Sequence, residues 1–138
     1  MEFSRRETLA MGLGAAMVTV LPFRVNAAAD DRIAAFTGGA DIAEGGVTLT
    51  APEIAENGNT VPVSVAAEGA TAIMVLATGN PTPGVATFNF GPGAAAQSAS
   101  TRIRLAGTQD VVAIAKMADG TFTKASATVK VTIGGCGG

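Results

Sequence analysis

The chain has 138 residues, a formal net charge of −2 and no His, Trp or Tyr. Its nine Lys and Arg residues are scattered along the sequence, which argues against a nucleic-acid partner. The absence of His removes the commonest general base and the commonest metal ligand, so a His-dependent catalytic or metal site is excluded. The length allows one small domain.

The first 29 residues are typical of an export signal. Arg5 and Arg6 precede an apolar run over 9–21, and small residues follow as far as Ala29. The apolar run is too short to span a membrane, and the paired arginines favour the twin-arginine pathway over an ordinary secretory signal. We therefore expect cleavage after Ala27 or Ala29 and a periplasmic mature protein with no membrane anchor, in an oxidising compartment.

The mature chain begins with one short predicted helix and continues as strands. An aspartate cap and the glycines beyond residue 37 predict a helix over 30–36. After residue 46, short alternating or apolar runs are separated by turn signals such as the one at 56–59. The predicted strands are 47–50, 61–65, 72–77, 85–90, 101–105, 110–117 and 121–133.

About seven strands without a long helical segment predict an all-β fold, an immunoglobulin-like antiparallel β-sandwich, over residues 30–133. Pro62 cannot donate a backbone hydrogen bond, which favours an edge strand there. In strand 101–105, Ile103 and Leu105 are expected to face inward. In the last strand five apolar residues are expected to share one face, with polar residues on the other: Ala125, Ala127, Val129, Val131 and Ile133.

The chain ends in G-G-C-G-G, and Cys136 is its only cysteine. No apolar residue is present to dock this segment, and glycine is the residue whose ordering costs most. Residues 134–138 are therefore expected to form a mobile arm that carries the thiol on four glycines: Gly134, Gly135, Gly137 and Gly138. Neither packing nor simple fraying accounts for an unpaired thiol in an oxidising compartment. An interchain disulfide that links two copies is one alternative.

The sequence around Cys136 offers nothing to activate the thiol. The nearest cation in sequence is Lys130, and an ordinary thiol with a pKa of about 8.5 is mostly protonated at neutral pH. The domain therefore looks incomplete as a catalyst, and we expect neither enzymatic activity nor a cofactor. A thiol on a mobile arm suits a carrier that presents a covalently held substrate to other proteins.

The sequence resembles the SoxY family of sulfur-oxidation proteins. The resemblance rests on the terminal G-G-C-G-G, on the strand V-K-V-T-I before it, on the leader, and on P-E-I-A-E-N-G-N-T-V-P-V at 52–63. It implies a covalent carrier in periplasmic thiosulfate oxidation, with thiosulfate attached to Cys136 as a cysteine S-thiosulfonate. A cysteine peroxidase or a ubiquitin-like carrier fits less well, since the first needs a held, activated cysteine and the second needs ATP.

The resemblance also implies the partners. These are a SoxZ-like subunit in a heterodimer, a SoxXA-like haem enzyme, a SoxB-like hydrolase and, in some systems, a SoxCD-like sulfane dehydrogenase. If partner channels are narrow, Gly135→Val or Gly137→Val should leave the fold intact and slow turnover. Four exposed basic residues are candidate docking points for acidic partners, although a solvated face is the simpler interpretation: Arg102, Arg104, Lys124 and Lys130.

Overall fold

The computed structural model describes residues 24–135, so the predicted leader arginines Arg5 and Arg6 and the terminal residues Cys136, Gly137 and Gly138 lie outside the described part. One helix and nine strands make up residues 24–135. They are α1 (Arg24–Thr37), β1 (Ile42–Glu44), β2 (Thr48–Thr50), β3 (Ile54–Asn57), β4 (Val61–Ala66), β5 (Ala70–Ala77), β6 (Gly84–Asn89), β7 (Ser98–Ile103), β8 (Gln109–Met117) and β9 (Phe122–Ile133).

Two sheets pack face to face, which confirms the predicted sandwich. The larger sheet has the order β1-β9-β8-β5-β6, with β3 also paired to β9, and the smaller has the order β2-β4-β7. The prediction of about seven strands misses β1 and β3, which have three and four residues. Both pair in parallel with β9, so the sandwich is not wholly antiparallel.

The core between the sheets follows the period-two alternation of the strands. The buried side chains in the central strands are Val61, Val63 and Val65 of β4, Ile73 and Val75 of β5, Val111, Ala113 and Ala115 of β8, and Val129 of β9. Ile103 and Leu105 are buried, as expected. Ile133, at the end of the face that the alternation of β9 predicts, is 66 % exposed, because β8 begins at Gln109 opposite Val129 and β9 continues beyond it.

Helix α1 covers the outer face of the larger sheet and explains the continuous apolar run of β5. Met74 and Leu76 are buried on this face, where Ile33 and Phe36 of the helix pack against them. The Phe36 and Phe122 rings meet edge to face with centroids 5.8 Å apart. A strand covered on both faces loses the alternating pattern of a half-exposed one. The helix begins at Arg24, before the predicted residue 30.

Pro62 lies in the middle strand of the smaller sheet, so the edge-strand prediction is wrong for β4 as a whole. The pairing of β2 with β4 runs only from Ala66 to Ser64. Pro62 is paired with Arg102 of β7 but has no partner from β2 on its other side. The proline is therefore tolerated because β2 ends before it reaches Pro62, so that this part of β4 is an edge on the β2 side and needs no backbone donor there.

The turn between β8 and β9 is held by Asp119. Its Oδ1 accepts hydrogen bonds from the Thr121 hydroxyl at 2.6 Å and from the Thr121 amide at 2.9 Å. These bonds favour the ionised carboxylate and hold the pKa of Asp119 below its ordinary value. A lowered folded-state pKa contributes stability above the unfolded pKa, and that contribution is lost as the pH falls through the folded value.

Asp119→Asn should therefore lower Tm at neutral pH, and its difference from the wild type should shrink as the pH falls from neutral into the acid range and the wild-type carboxylate is protonated. Thermal unfolding of both proteins across this range is the measurement. Asp41→Asn is the control, because Asp41 is an exposed aspartate outside this turn. A Tm difference for Asp119→Asn that stays constant with pH would contradict the assignment.

Candidate functional site at the end of strand β9

The predicted site residues divide at Gly135. Cys136, Gly137 and Gly138 lie outside the described residues, whereas Gly134 and Gly135 lie inside them. The structure therefore describes the chain as far as the residue before Cys136. We call the set formed by Gly58, Leu105, Ala106, Ile133, Gly134 and Gly135 the tail junction.

The final third of β9 is held on both sides. Strand β3 pairs with it in parallel, with Ala55 opposite Val131 and Asn57 opposite Ile133. On the other side, beyond the reach of β8, the Thr108 hydroxyl accepts a hydrogen bond from the Val131 amide at 3.0 Å. The strand therefore reaches the tail junction with neighbours on both edges.

Three backbone hydrogen bonds link three separate segments at the tail junction. The Gly58 amide donates to Ile133 O at 2.7 Å, and the Leu105 amide donates to Gly58 O at 2.7 Å. The Gly135 amide in turn donates to Leu105 O at 2.8 Å, and Gly135 is buried. The structure therefore places Gly134 and Gly135 against the domain, and the mobility expected for residues 134–138 stays a prediction.

Close packing at the tail junction leaves no room for a side chain on any of its three glycines. A Cβ on Gly58 would collide with Leu105 O, and one on Gly134 would collide with Ala106 O. A Cβ on Gly135 would lie 2.8 Å from Gly58 O. Gly58 and Gly134 do not have positive φ, so close approach of the backbone, rather than conformational freedom, requires glycine here.

This packing changes the expectation for Gly135→Val. The sequence suggested that the variant would keep its fold and be impaired only in partner channels. In the structure its side chain would meet the carbonyl oxygens of Gly58 and Leu105 within the domain itself. A defect of Gly135→Val would therefore report on the tail junction as well as on partners, whereas Gly137 lies outside the described residues and keeps its prediction.

The loop 104–108, which supplies Leu105 and Ala106 to the tail junction, rests on two buried amide side chains. Asn80 is 5 % exposed and Gln109 is 8 % exposed. Asn80 Nδ2 donates to Arg104 O at 2.8 Å, and Asn80 Oδ1 accepts from the Ala106 amide at 2.9 Å. Gln109 Nε2 donates to Asn80 Oδ1 at 2.8 Å and to Gly107 O at 3.0 Å.

Sequence reasoning missed this pair, as well as Gly58. Asn80 stands before Pro81-Thr82-Pro83-Gly84, and its position there indicates only a turn. Gly58 follows Asn57 in what looks like an ordinary Asn-Gly turn. The signal that distinguishes these residues is their contact with distant segments, which no local pattern contains.

The four basic residues considered as docking points do not form one cluster of ion pairs. Arg102, Arg104 and Lys130 are exposed. Lys124 Nζ lies 3.4 Å from Glu44 Oε1, and this is the salt bridge found in the part of the chain that the structure describes.

Two large apolar side chains are also exposed near this end of the sheet, Ile54 at 62 % and Ile133 at 66 %.

Within residues 24–135, no group of three or more acidic, Cys or His residues is arranged to hold a metal ion. In the same range, no helix has the length and apolar character needed to cross a membrane.

Gly58→Ala should destabilise the protein by about 1–3 kcal/mol, because the added methyl group overpacks the tail junction. Chemical denaturation of the two proteins measures the difference in free energy of unfolding. Gly107→Ala is the matched control, since a Cβ at Gly107 meets nothing within 4 Å. Equal stabilities of the Gly58→Ala and Gly107→Ala variants would show that the tail junction is not closely packed in solution.

Comparison with solved structures finds a sulfur carrier protein among the similar chains. The structure of the sulfur carrier protein SoxY from Chlorobium limicola f thiosulfatophilum is similar at a TM-score of 0.68 and 40 % sequence identity, over 78 % of this chain and 98 % of that one. No curated protein sequence gives a match.

More distant structures share the fold alone. The superoxide reductase (neelaredoxin) from Ignicoccus hospitalis matches at a TM-score of 0.56 and 18 % identity, over 63 % of this chain and 80 % of that one. The putative superoxide reductase from Thermotoga maritima matches at 0.52 and 16 %, over 70 % and 89 % of the two chains. At these identities the likeness concerns the arrangement of strands only.

The family model described as "Sulfur oxidation protein SoxY" matches residues 33–136. This range runs from the helix to the cysteine and includes all nine strands described above. Together with the 40 % identity to the Chlorobium protein, it shows that the chain belongs to the SoxY family of sulfur oxidation proteins.

Proposed function

We propose that this chain is a covalent carrier of sulfur intermediates in thiosulfate oxidation, with Cys136 as the attachment point. The observation that carries the proposal is the extent of the family match, which ends at Cys136, the only thiol of the chain. The relative from Chlorobium limicola is a sulfur carrier protein. The packed tail junction supports the proposal, since it brings the chain to a defined place one residue before that thiol.

Attachment is an oxidation. The Cys136 thiol loses its proton, a bond forms between Cys136 Sγ and the sulfane sulfur of thiosulfate, and two electrons leave. A SoxXA-like haem enzyme accepts those electrons. The product is a cysteine S-thiosulfonate, in which the terminal sulfonate remains bonded to the former sulfane sulfur.

Release of sulfate is a hydrolysis. Water attacks the sulfonate sulfur, the bond between this sulfur and the sulfane sulfur breaks, and the sulfane sulfur keeps the electron pair as a persulfide on Cys136. A SoxB-like hydrolase performs this step, and a SoxCD-like dehydrogenase oxidises the remaining sulfane sulfur in systems that contain one. Each step leaves the carrier attached to its load through the same Sγ atom.

The chain is proposed to act as a substrate for these enzymes and not as a catalyst. At the tail junction the described groups nearest the thiol in sequence are backbone amides and carbonyls that already bond to one another. The chain has no His, the commonest general acid and base, and we propose that the partners supply these groups. A covalent tether offers them a high effective concentration of the intermediate without a separate binding step.

We propose a periplasmic setting. The twin-arginine-type leader with Arg5 and Arg6 supports export to the periplasm, where the Sox enzymes would meet the carrier. We propose a SoxZ-like subunit as the constant partner in a heterodimer.

A second candidate role is a structural module that dimerises through a disulfide between two Cys136 residues. The single unpaired thiol of an exported chain favours it. Dimerisation and carrying are distinguishable, because a dimer needs the thiol but no partner enzyme and no thiosulfate.

Cys136→Ser should abolish thiosulfate-dependent sulfate production in cells that depend on this chain as their carrier, since the hydroxyl cannot form the sulfur–sulfur bond. Sulfate formation and oxygen uptake after addition of thiosulfate are the measurements. Thr132→Ser is the matched control, a conservative change at an exposed position of β9 that leaves the thiol in place. Normal sulfate production by Cys136→Ser would overturn the carrier proposal.

A further inference from the structure

We propose that Asn80 and Gln109 are positioning residues for the carrier tail. They hold the loop 104–108, and through its backbone they hold Gly134 and Gly135 at the base of the tail. The functional meaning of this inference rests on the proposed attachment at Cys136, but the contacts that carry it belong entirely to described residues.

The first step is that the loop depends on side chains for its backbone hydrogen bonds. It lies between β7, which ends at Ile103, and β8, which begins at Gln109, so it has no complete strand ladder. Backbone amides and carbonyls that no strand ladder pairs need other partners, whether backbone, side chain or water. The side-chain amide of Asn80 donates a hydrogen bond to the Arg104 carbonyl through Nδ2 and accepts one from the Ala106 amide through Oδ1.

The second step is that Gln109 holds Asn80 in this orientation. Its Nε2 donates to Asn80 Oδ1, and its Oε1 accepts a hydrogen bond from the Gly79 amide at 2.9 Å. A second bond from Nε2 to Gly107 O secures the far end of the loop. Both side chains are more than nine-tenths buried, where each of these bonds is shielded from competition by water.

The third step links the loop to the tail. Leu105 is fully buried, and its carbonyl accepts the Gly135 amide while its own amide donates to Gly58. The next residue, Ala106, has its amide on Asn80 and its carbonyl packed against Gly134. The residue that bonds to Asn80, Ala106, directly follows the residue that bonds to Gly135, Leu105. A shift of the loop must therefore move the base of the tail.

The consequence concerns the reach of the thiol. An arm free from residue 134 would extend its cysteine by roughly 10 Å from Ile133, at about 3.3–3.6 Å per residue. With Gly135 held, consecutive Cα atoms about 3.8 Å apart connect Cys136 to a fixed point. The tail then presents its load from one place on the domain, which raises the effective concentration for a partner docked beside it.

Hydrogen exchange by NMR tests the coupling in the full chain. We expect the Gly135 amide to be protected in the wild type, and Asn80→Leu to reduce that protection by about tenfold or more, because it removes every polar contact of the amide. Gln109→Met should reduce it as well and provides a second variant if Asn80→Leu does not fold. Amides at the centre of β5 and β8 should lose less protection than Gly135.

The control is Ile114→Val, a core change on the opposite face of the larger sheet, beneath α1. It lowers global stability without contact to the loop, so it should reduce protection at Gly135 no more than at β5 and β8. A Gly135 amide that is unprotected in the wild type, or one whose protection changes equally in all variants, would overturn the proposal.

A spin label on Cys136, the only cysteine, gives an independent readout that needs no sulfur chemistry. Asn80→Leu and Gln109→Met should narrow the electron spin resonance lines relative to the wild type, and Ile114→Val should not. Unchanged lines in both amide variants would show that the pair does not act on the tail. Either outcome is separate from the carrier proposal, which is tested by loss of the thiol itself.

Discussion

The backbone amides and carbonyls of β9 need hydrogen-bond partners along twelve residues. The segments that supply these partners determine where the chain leaves the domain. Strand β8 pairs with it from Phe122 to Val129, and β1 adds a second neighbour near its start. Beyond Val129 no strand continues on the β8 side, so the loop 104–108 takes over there while β3 covers the other edge. The close backbone contacts at the tail junction complete this pairing at Gly135.

The terminal glycines do not all have the same role, because two of them pack against the domain and the others flank the thiol. Gly134 and Gly135 belong to the domain, where lack of a side chain permits backbone contact with Ala106 and Gly58. The residues that follow carry the only thiol. On the proposed function, the domain contributes a hydrogen-bonded starting point for the tail and a thiol, and the partners contribute acid, base, metal and electron acceptor. On this proposal, a chain without His needs no acid or base of its own for the redox and hydrolytic steps.

Strands β4 and β7 were predictable because their apolar and polar residues alternate, which reflects burial of one face of the strand. Strand β5 was predictable because it is a long apolar run, as expected for a strand buried on both faces. The family was predictable from the terminal motif. Strands β1 and β3 were not predictable, since three or four residues carry too little periodicity and their parallel pairing with β9 is a long-range contact. The contacts of Gly134 and Gly135 were missed for a similar reason: glycine looks flexible in sequence, and only the opposing carbonyls show that it is packed.

Intact mass analysis of the mature protein, taken from cells grown on thiosulfate and measured with and without reductant, is the most direct test of the central claim. The account predicts additions corresponding to bound thiosulfate or sulfane sulfur, removed by reductant and located on Cys136 by peptide mapping. A bare thiol under every growth condition, or only a symmetric disulfide-linked dimer, would contradict it and would make the tail a structural link.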